Sequence, residues 1–209
     1  MAQRDHQDSG LRERLIDVGV ELVTSEGTAA LGLREIARRA GVSHGAPRRY
    51  FATHHALLSA IARRGFEELG SRVPAAMAGP GADDPRGQVR ALGRAYVGYA
   101  LEHPGMFELM FRHDPPDDSG QQGPARSPLR DSTLPMFELL VSLVTRCRAG
   151  AGDQPRITAA ALWANLHGVA QLWARGSLPH ALDGDPAASL DRLVDAAVEA
   201  HLPGRRPRC

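Results

Sequence analysis

The stretch GVSHGAPRRYF, residues 41–51, sets two adjacent guanidinium groups, a phenol and an imidazole among residues that interrupt helices. Arg48 and Arg49 suit charge-assisted contacts with phosphate, or bidentate contacts with the edge of guanine. Tyr50 offers a hydroxyl to a phosphate oxygen. Gly45 and Ala46 remove side-chain bulk where a duplex would approach, beside His44 in the same segment. Pro47 falls in or just after a first helical turn, where few backbone hydrogen bonds are lost. Ser43 is placed to cap that helix, and Phe51 to pin its end to a core.

The surrounding charge agrees. From Arg34 to Arg64 seven arginines accompany one carboxylate, Glu35, in a chain whose formal net charge is only +1. A solvated arginine-rich face would explain a charge run by itself. With the turn spacing and the small residues added, nucleic-acid binding is favoured. All the basic residues are arginine and none is lysine, which reads as GC-rich coding rather than as selection at each site.

These groups need helices to position them. Leu11, Leu15, Val18 and Leu22 recur at helical spacing, with Ser9 as an N-cap and Gly27 as a stop. LREIARRA places Leu33, Ile36, Ala37 and Ala40 on one face and ends at Gly41. A third helix from Ser43 to about Phe51 follows, and a fourth opens near Thr53 with His54 and His55. Two short helices joined by a three- or four-residue turn containing glycine make a helix-turn-helix, whose second helix presents its N-terminal residues to the major groove. No strand-type alternation and no repeat appears. The expected fold is all-α, with eight or nine helices. It divides into an irregular start at 1–9, a helix-turn-helix domain at 10–56, a larger helical domain at 57–202 and a basic tail at 203–209.

Beyond the Gly- and Pro-rich segment AGPGADDPRG, the short helix GMFELMF is apolar on every side, so it is buried all round or lines a cavity. Tyr96, Tyr99, Met106, Phe107, Met110, Phe111, Phe137, Trp163 and His167 are the candidate effector-pocket residues. For each of them ordinary core packing is the plainer reading. His167 fits a ligand hydrogen bond, an interface or a satisfied core position. Ala160, Ala164 and Gly168 form a small-residue stripe on the helix over 155–175, and Leu190, Leu193, Val194 and Ala197 an apolar stripe on the last helix. Both stripes suit packing within one subunit or against a symmetry mate.

Other chemistry lacks its residues. The nine histidines are scattered without metal-ligand spacing. No glycine-rich phosphate loop follows a strand, and no serine elbow occurs, so no enzyme, cofactor or metal is expected. The two cysteines, Cys147 and Cys209, make no disulfide framework and fit a reducing cytosol. The polar N-terminus is no signal peptide, and no apolar run is long enough to span a membrane. A redox sensor built on Cys147, or an all-α small-molecule-binding protein without operator function, are the alternative readings.

The stretch LIDVGVELVTSEGTAALGLREIARRAGVSHGAPRRYFATHHALLSAI resembles the N-terminal DNA-binding domain of the TetR family of bacterial regulators. This chain has Gly32 where the family often caps helix 2 with Thr. It has Pro47 and Arg48 for an aliphatic residue and Tyr, and His54 and His55 for a Lys and an acid. WANLHGVAQLWARG, 163–176, is similar to the Trp/His-Gly signature of a TetR subgroup. The resemblance implies a cytoplasmic homodimer, with both C-terminal stripes in its interface, that binds a palindromic operator. It is usually a repressor, released by a small molecule in the larger domain. Arg34, Ser43, His44, Gly45, Ala46, Arg48, Arg49, Tyr50 and His54 are the DNA-contact positions it implies.

Overall fold

The computed structural model describes residues 2–78, 84–112, 128–147, 154–182 and 184–202, and the regular elements among these residues are all helical, without a strand. Residues 113–127 and the basic tail with Cys209 lie outside the described residues. Ten α-helices and one 3-10 turn are described, against the eight or nine helices expected; α9 is too short to carry a periodic pattern. The chain divides into two compact units, Met1–Glu68 with His103–Ser132, and Leu69–Glu102 with Thr133–Cys209. This differs from a simple boundary at 56/57.

The first unit holds α1 (Ala2–Glu26), a 3-10 turn (Thr28–Ala30), α2 (Leu33–Arg39), α3 (Pro47–Tyr50), the first part of α4 (His54–Met77) and α6 (Pro104–Phe111). α1 begins at Ala2 instead of after an irregular start, since residues 2–9 contain no glycine or proline to interrupt it. Its expected cap, Ser9, therefore lies inside the helix. Leu15, Leu22, Val23, Ile36, Ala37, Leu57 and Ile61 form the core. α1 and α4 approach closely at Gly19, where a Cβ would fall 2.2 Å from Ile61 Cδ1.

The membership of α6 in this unit follows from two further close approaches. A Cβ at Gly65 on α4 would meet Met106 Cγ and Met110 Sδ, each at 2.7 Å. A Cβ at Gly105 would fall 2.4 Å from the backbone oxygen of Val23, at the end of α1. Phe66 and Phe111 meet edge to face at 5.5 Å, an arrangement aromatic quadrupoles favour. Thr28 Oγ1 donates to Glu108 Oε1 at 3.0 Å. The all-apolar segment is thus buried on α1 and α4, with Glu108 as its exposed exception.

The second unit holds α5 (Pro85–Glu102), α7 (Pro128–Cys147), α8 (Pro155–Ala174), α9 (Ser177–Ala181), α10 (Pro186–His201) and the rest of α4. Val89, Leu92, Val97, Leu162, Leu166, Val194 and Val198 are buried among α5, α8 and α10. Gly93 admits Val194 and Leu166, whose methyl groups lie 3.1 and 3.4 Å from where its Cβ would stand. Along the rim, Arg86, Arg90 and Arg94 on α5 pair with Glu199, Asp195 and Asp191 on α10, an antiparallel ladder in steps of four. Asp185 caps α10 by accepting from the backbone of Ala187 and Ala188.

At Gly105 the obstacle to a side chain is backbone, which cannot rotate away as Met106 can at Gly65. Gly105→Ala is expected to cost about 1–3 kcal/mol, the usual range for overpacking, and Gly65→Ala less. Urea midpoints of the two variants check the order; equal midpoints would remove the close docking of α6 on α1.

Candidate functional site

The region around residues 32–54 is built by how α2 stops. Gly41 adopts φ +66, a left-handed conformation that L side chains rarely take. Its N–H bonds Arg38 O at 3.2 Å, and the Val42 N–H bonds Ala37 O at 3.0 Å. This pair of bonds is the Schellman closure. It turns the chain sharply and leaves Ser43, His44 and Gly45 exposed. A Cβ at Gly45 would meet nothing within 4 Å.

α3 starts later than the sequence suggests. Pro47 is its first residue and Ala46 its N-cap, without a side-chain cap. Ser43 contributes its backbone carbonyl, which accepts from the Ala46 N–H at 2.9 Å. Residues 44–46 form that turn, because a proline at position 47 needs no hydrogen bond to its own nitrogen. Ala46 and Pro47 are buried. Phe51 is buried as expected, under the Arg12 guanidinium at 5.3 Å from the ring. Arg48 and Arg49 are exposed, and Tyr50 is half-buried.

His54 does something the sequence did not reveal. Its Nε2 lies 2.7 Å from Leu31 O, so the ring donates there and ties the start of α4 to the approach to α2. Only Nδ1 remains to face a phosphate. The N-cap of α4 is Thr53, whose hydroxyl accepts from the Ala56 N–H at 3.0 Å.

Counting charge along the chain overstates the positive surface. Arg38 and Arg39 both bond Glu35, and Arg39 also reaches Glu26 at 2.5 Å. These guanidinium groups hold the Glu35 carboxyl down to about 2. Arg64 pairs with Glu13 and Asp17 of α1 and with Glu67. Among the described residues no carboxylate pairs with Arg34, Arg48, Arg49 or Arg63. The partners on α1, distant in sequence, were invisible to a local count. A short helix opening on buried Pro47, with unpaired arginines outward behind a tight turn, defines a helix-turn-helix DNA-reading unit.

The nine expected effector residues divide between the units. Met106, Phe107, Met110 and Phe111 belong to the first, and Tyr96, Tyr99, Phe137, Trp163 and His167 to the second. Met106 and Met110 are packing partners of Gly65, and Tyr99 is fully buried under the Arg72 guanidinium, 4.9 Å from its ring. Tyr96, Phe137, Trp163 and His167 form a connected group. The Trp163 indole donates to the Tyr96 hydroxyl at 3.1 Å, and that hydroxyl lies 2.8 Å from His167 Nδ1. The hydroxyl thus accepts from the indole and shares a second hydrogen bond with the imidazole. Burial pushes the Tyr96 phenol well above its ordinary value and the His167 imidazole below. Phe137 lies 6.0 Å from Trp163, with the Arg156 guanidinium over its other neighbourhood at 5.3 Å.

The proposed interface stripe also splits. Val194 and Ala197 are buried within the unit, with Val194 against Gly93. Leu190 and Leu193 are half-buried, Ala160 is half-buried and Ala164 exposed. A Cβ at Gly168 would meet nothing. Ile157 and Leu172, both markedly exposed on the same helix, were not singled out from sequence. Cys147 is half-buried, and burial raises its thiol, which disfavours the reactive thiolate.

Comparison with known proteins completes the assignment. Residues 15–61 match the family model described as bacterial regulatory proteins, tetR family, and residues 89–197 match a tetracyclin repressor-like C-terminal domain. The HTH-type transcriptional regulator BetI of Yersinia pestis is 35% identical over 81 residues, 39% of this chain and 41% of BetI. The chain thus spans well under half the length of that curated relative. A protein of unknown function from Rhodococcus sp. RHA1 is 32% identical, with a TM-score of 0.69 over 92% of this chain and 93% of that one. RolR, in a complex with resorcinol, shares the fold at 20% identity, with a TM-score of 0.67 over 96% and 91% of the two chains. The chain belongs to the TetR family of DNA-binding transcriptional regulators, which are not enzymes. No described helix is long and apolar enough to cross a membrane.

The lowered His167 value has a consequence for stability. A folded-state value below the unfolded one means that the unfolded chain takes up the proton first. The contribution is complete above the ordinary histidine value of about 6.5 and is lost as pH falls below it through the folded value. His167→Gln is expected to flatten stability across that acid limb. Thermal melts at several pH values check this; an unchanged acid limb would mean that His167 keeps no depressed value.

Proposed function

We propose that the chain is a homodimeric, cytoplasmic repressor that reads a palindromic operator and leaves it when a small molecule enters the second unit. The observation that carries the operator reading is Arg48 and Arg49, exposed and without carboxylate partners on a helix anchored by buried Pro47 and Phe51. Arg34, Ser43, His44, Gly45 and Tyr50 complete the contact surface, and Nδ1 of His54 faces a phosphate. Two such surfaces about one DNA turn apart, roughly 34–36 Å, require a two-fold assembly.

The α8 face supports that assembly. Ile157, Ala164 and Leu172 are exposed there, and Gly168 is open. Leu190 and Leu193 of α10 supply the second helix of a four-helix contact. The effector class we assign is a small aromatic compound with a hydroxyl. Tyr96, Trp163 and His167 offer a hydrogen-bonding group beside the Phe137 ring. RolR, similar in fold, holds resorcinol, a compound of that kind.

The operator reading is tested on duplex DNA from upstream of the chain's own coding sequence. If Arg48 or Arg49 reads a guanine, its loss costs about 1–3 kcal/mol and relaxes preference at one base pair. If either only meets phosphate, affinity falls evenly across sequences. An Arg48→Ala, Arg49→Ala protein that binds as tightly as the parent would end the assignment of α3.

The interface test is unusually clean because Gly168 has room within its own chain. Gly168→Leu should leave the fold and melting of the subunit intact while weakening both dimerisation and operator binding. Light scattering that still shows a stable dimer would remove this face from the interface.

A further inference from the structure

We propose that Glu35 is a positioning residue that withholds Arg38 from non-specific duplex DNA, acting as an intramolecular stand-in for a phosphate. This rests on the reading of the first unit as a DNA-binding domain. The Glu35 carboxylate takes two parallel bonds from Arg38, Nε at 2.8 Å and Nη2 at 2.6 Å, and a third from Arg39 Nε at 2.8 Å. A bidentate fork of this kind is how arginine also meets a phosphate, so the two anions compete for one side chain. The competition is open, because 65% of the Arg38 side chain is exposed. Arg38 stands one turn after unpaired Arg34 on the same helix, and so projects from the same face. Glu35 remains ionised at any physiological pH, since its arginine partners hold its carboxyl at about 2.

Arg39 behaves differently. It is shared with Glu26 at the end of α1, and so stays neutralised when Glu35 is lost. The device therefore controls one charge. A phosphate that captured Arg38 would leave the Glu35 carboxylate beside the DNA with only Arg39, which it shares with Glu26, a like-charge cost. A loosely placed, random-sequence contact does not offset that cost, whereas unpaired Arg48 and Arg49 remain available to any duplex.

The experiment measures affinity for a random-sequence duplex as a function of salt for four full-length proteins: wild type, Glu35→Gln, Arg38→Gln and the double variant. Each arginine newly engaged with phosphate steepens the logarithmic salt dependence by about 0.9. Glu35→Gln is expected to bind more tightly at low salt. It should lose about 3.5-fold more affinity than wild type between about 50 and about 200 mM salt. Arg38→Gln should match the wild-type slope, and the double variant should return to it. A steeper slope that persists in the double variant would assign the effect to the general loss of a negative charge and overturn the proposal. So would a Glu35→Gln slope equal to wild type, or an Arg38→Gln slope already reduced. Weaker binding with an unchanged slope would make Glu35 merely structural. Failure of wild type to bind any duplex would instead overturn the DNA-binding reading itself, which keeps the two failures apart.

Discussion

The DNA-reading surface depends on one backbone conformation, the left-handed turn at Gly41. Two hydrogen bonds close α2 across it, from Gly41 to Arg38 and from Val42 to Ala37. A side chain there would be strained although its Cβ would touch nothing, so the constraint is conformational rather than steric. Once the chain has turned, the outcome for each following residue is fixed by which side of the turn it occupies. Ser43, His44 and Gly45 go outward. Ala46, Pro47 and Phe51 go inward, leaving Arg48 and Arg49 on the outer face between anchors. A helix of only four residues has almost no stability of its own; the buried proline and phenylalanine hold it, and the exposed arginines borrow that rigidity.

The second unit uses close packing to hold a polar group inside. Gly93 brings α5 against α8 and α10, which places Tyr96, one turn later on α5, within reach of Trp163 and His167. A phenol buried this deeply needs partners, and the indole and imidazole, four residues apart on one face of α8, supply two. The group is therefore structural before it is anything else. It becomes a recognition surface for a hydroxylated ligand only through Trp163, whose ring remains partly exposed.

Much of this was legible in the sequence. Periodicity placed α1 and α2, and stripes of small or apolar residues marked α8 and α10, because a helix repeats its pattern every three or four residues. The turn chemistry of GVSHGAP located the recognition segment. What was not legible depends on contacts between distant residues. Gly105 reads as an ordinary glycine after a proline until the end of α1 is brought against it. His54 reads as a weak replacement for lysine until Leu31 O is found at its Nε2. Val194 and Ala197 share a stripe with Leu190 and Leu193, and a single helix pattern does not say which part of a broad stripe its own subunit covers. The start of α3 was misplaced for a related reason: Ser43 is a good cap in isolation, but Pro47 offers a better first helical residue four positions on.

The distribution of charge follows the same logic as the distribution of apolar groups. Excess arginine around the turn would bind any polyanion, so the useful quantity is the number left unpaired after folding, not the number encoded. Glu13 and Glu26 on α1, with Glu35 on α2, subtract Arg64, Arg39 and Arg38 from that number. The three carboxylates lie far apart in sequence, yet each stands beside an arginine outside α3. Of the seven arginines from 34 to 64, folding thus leaves Arg48 and Arg49 on α3, with Arg34 and Arg63, without a carboxylate partner. The pairs themselves are exposed and contribute little to stability. Their effect is on what remains: a narrow positive surface whose geometry is set by Gly41, instead of a broad one set by composition.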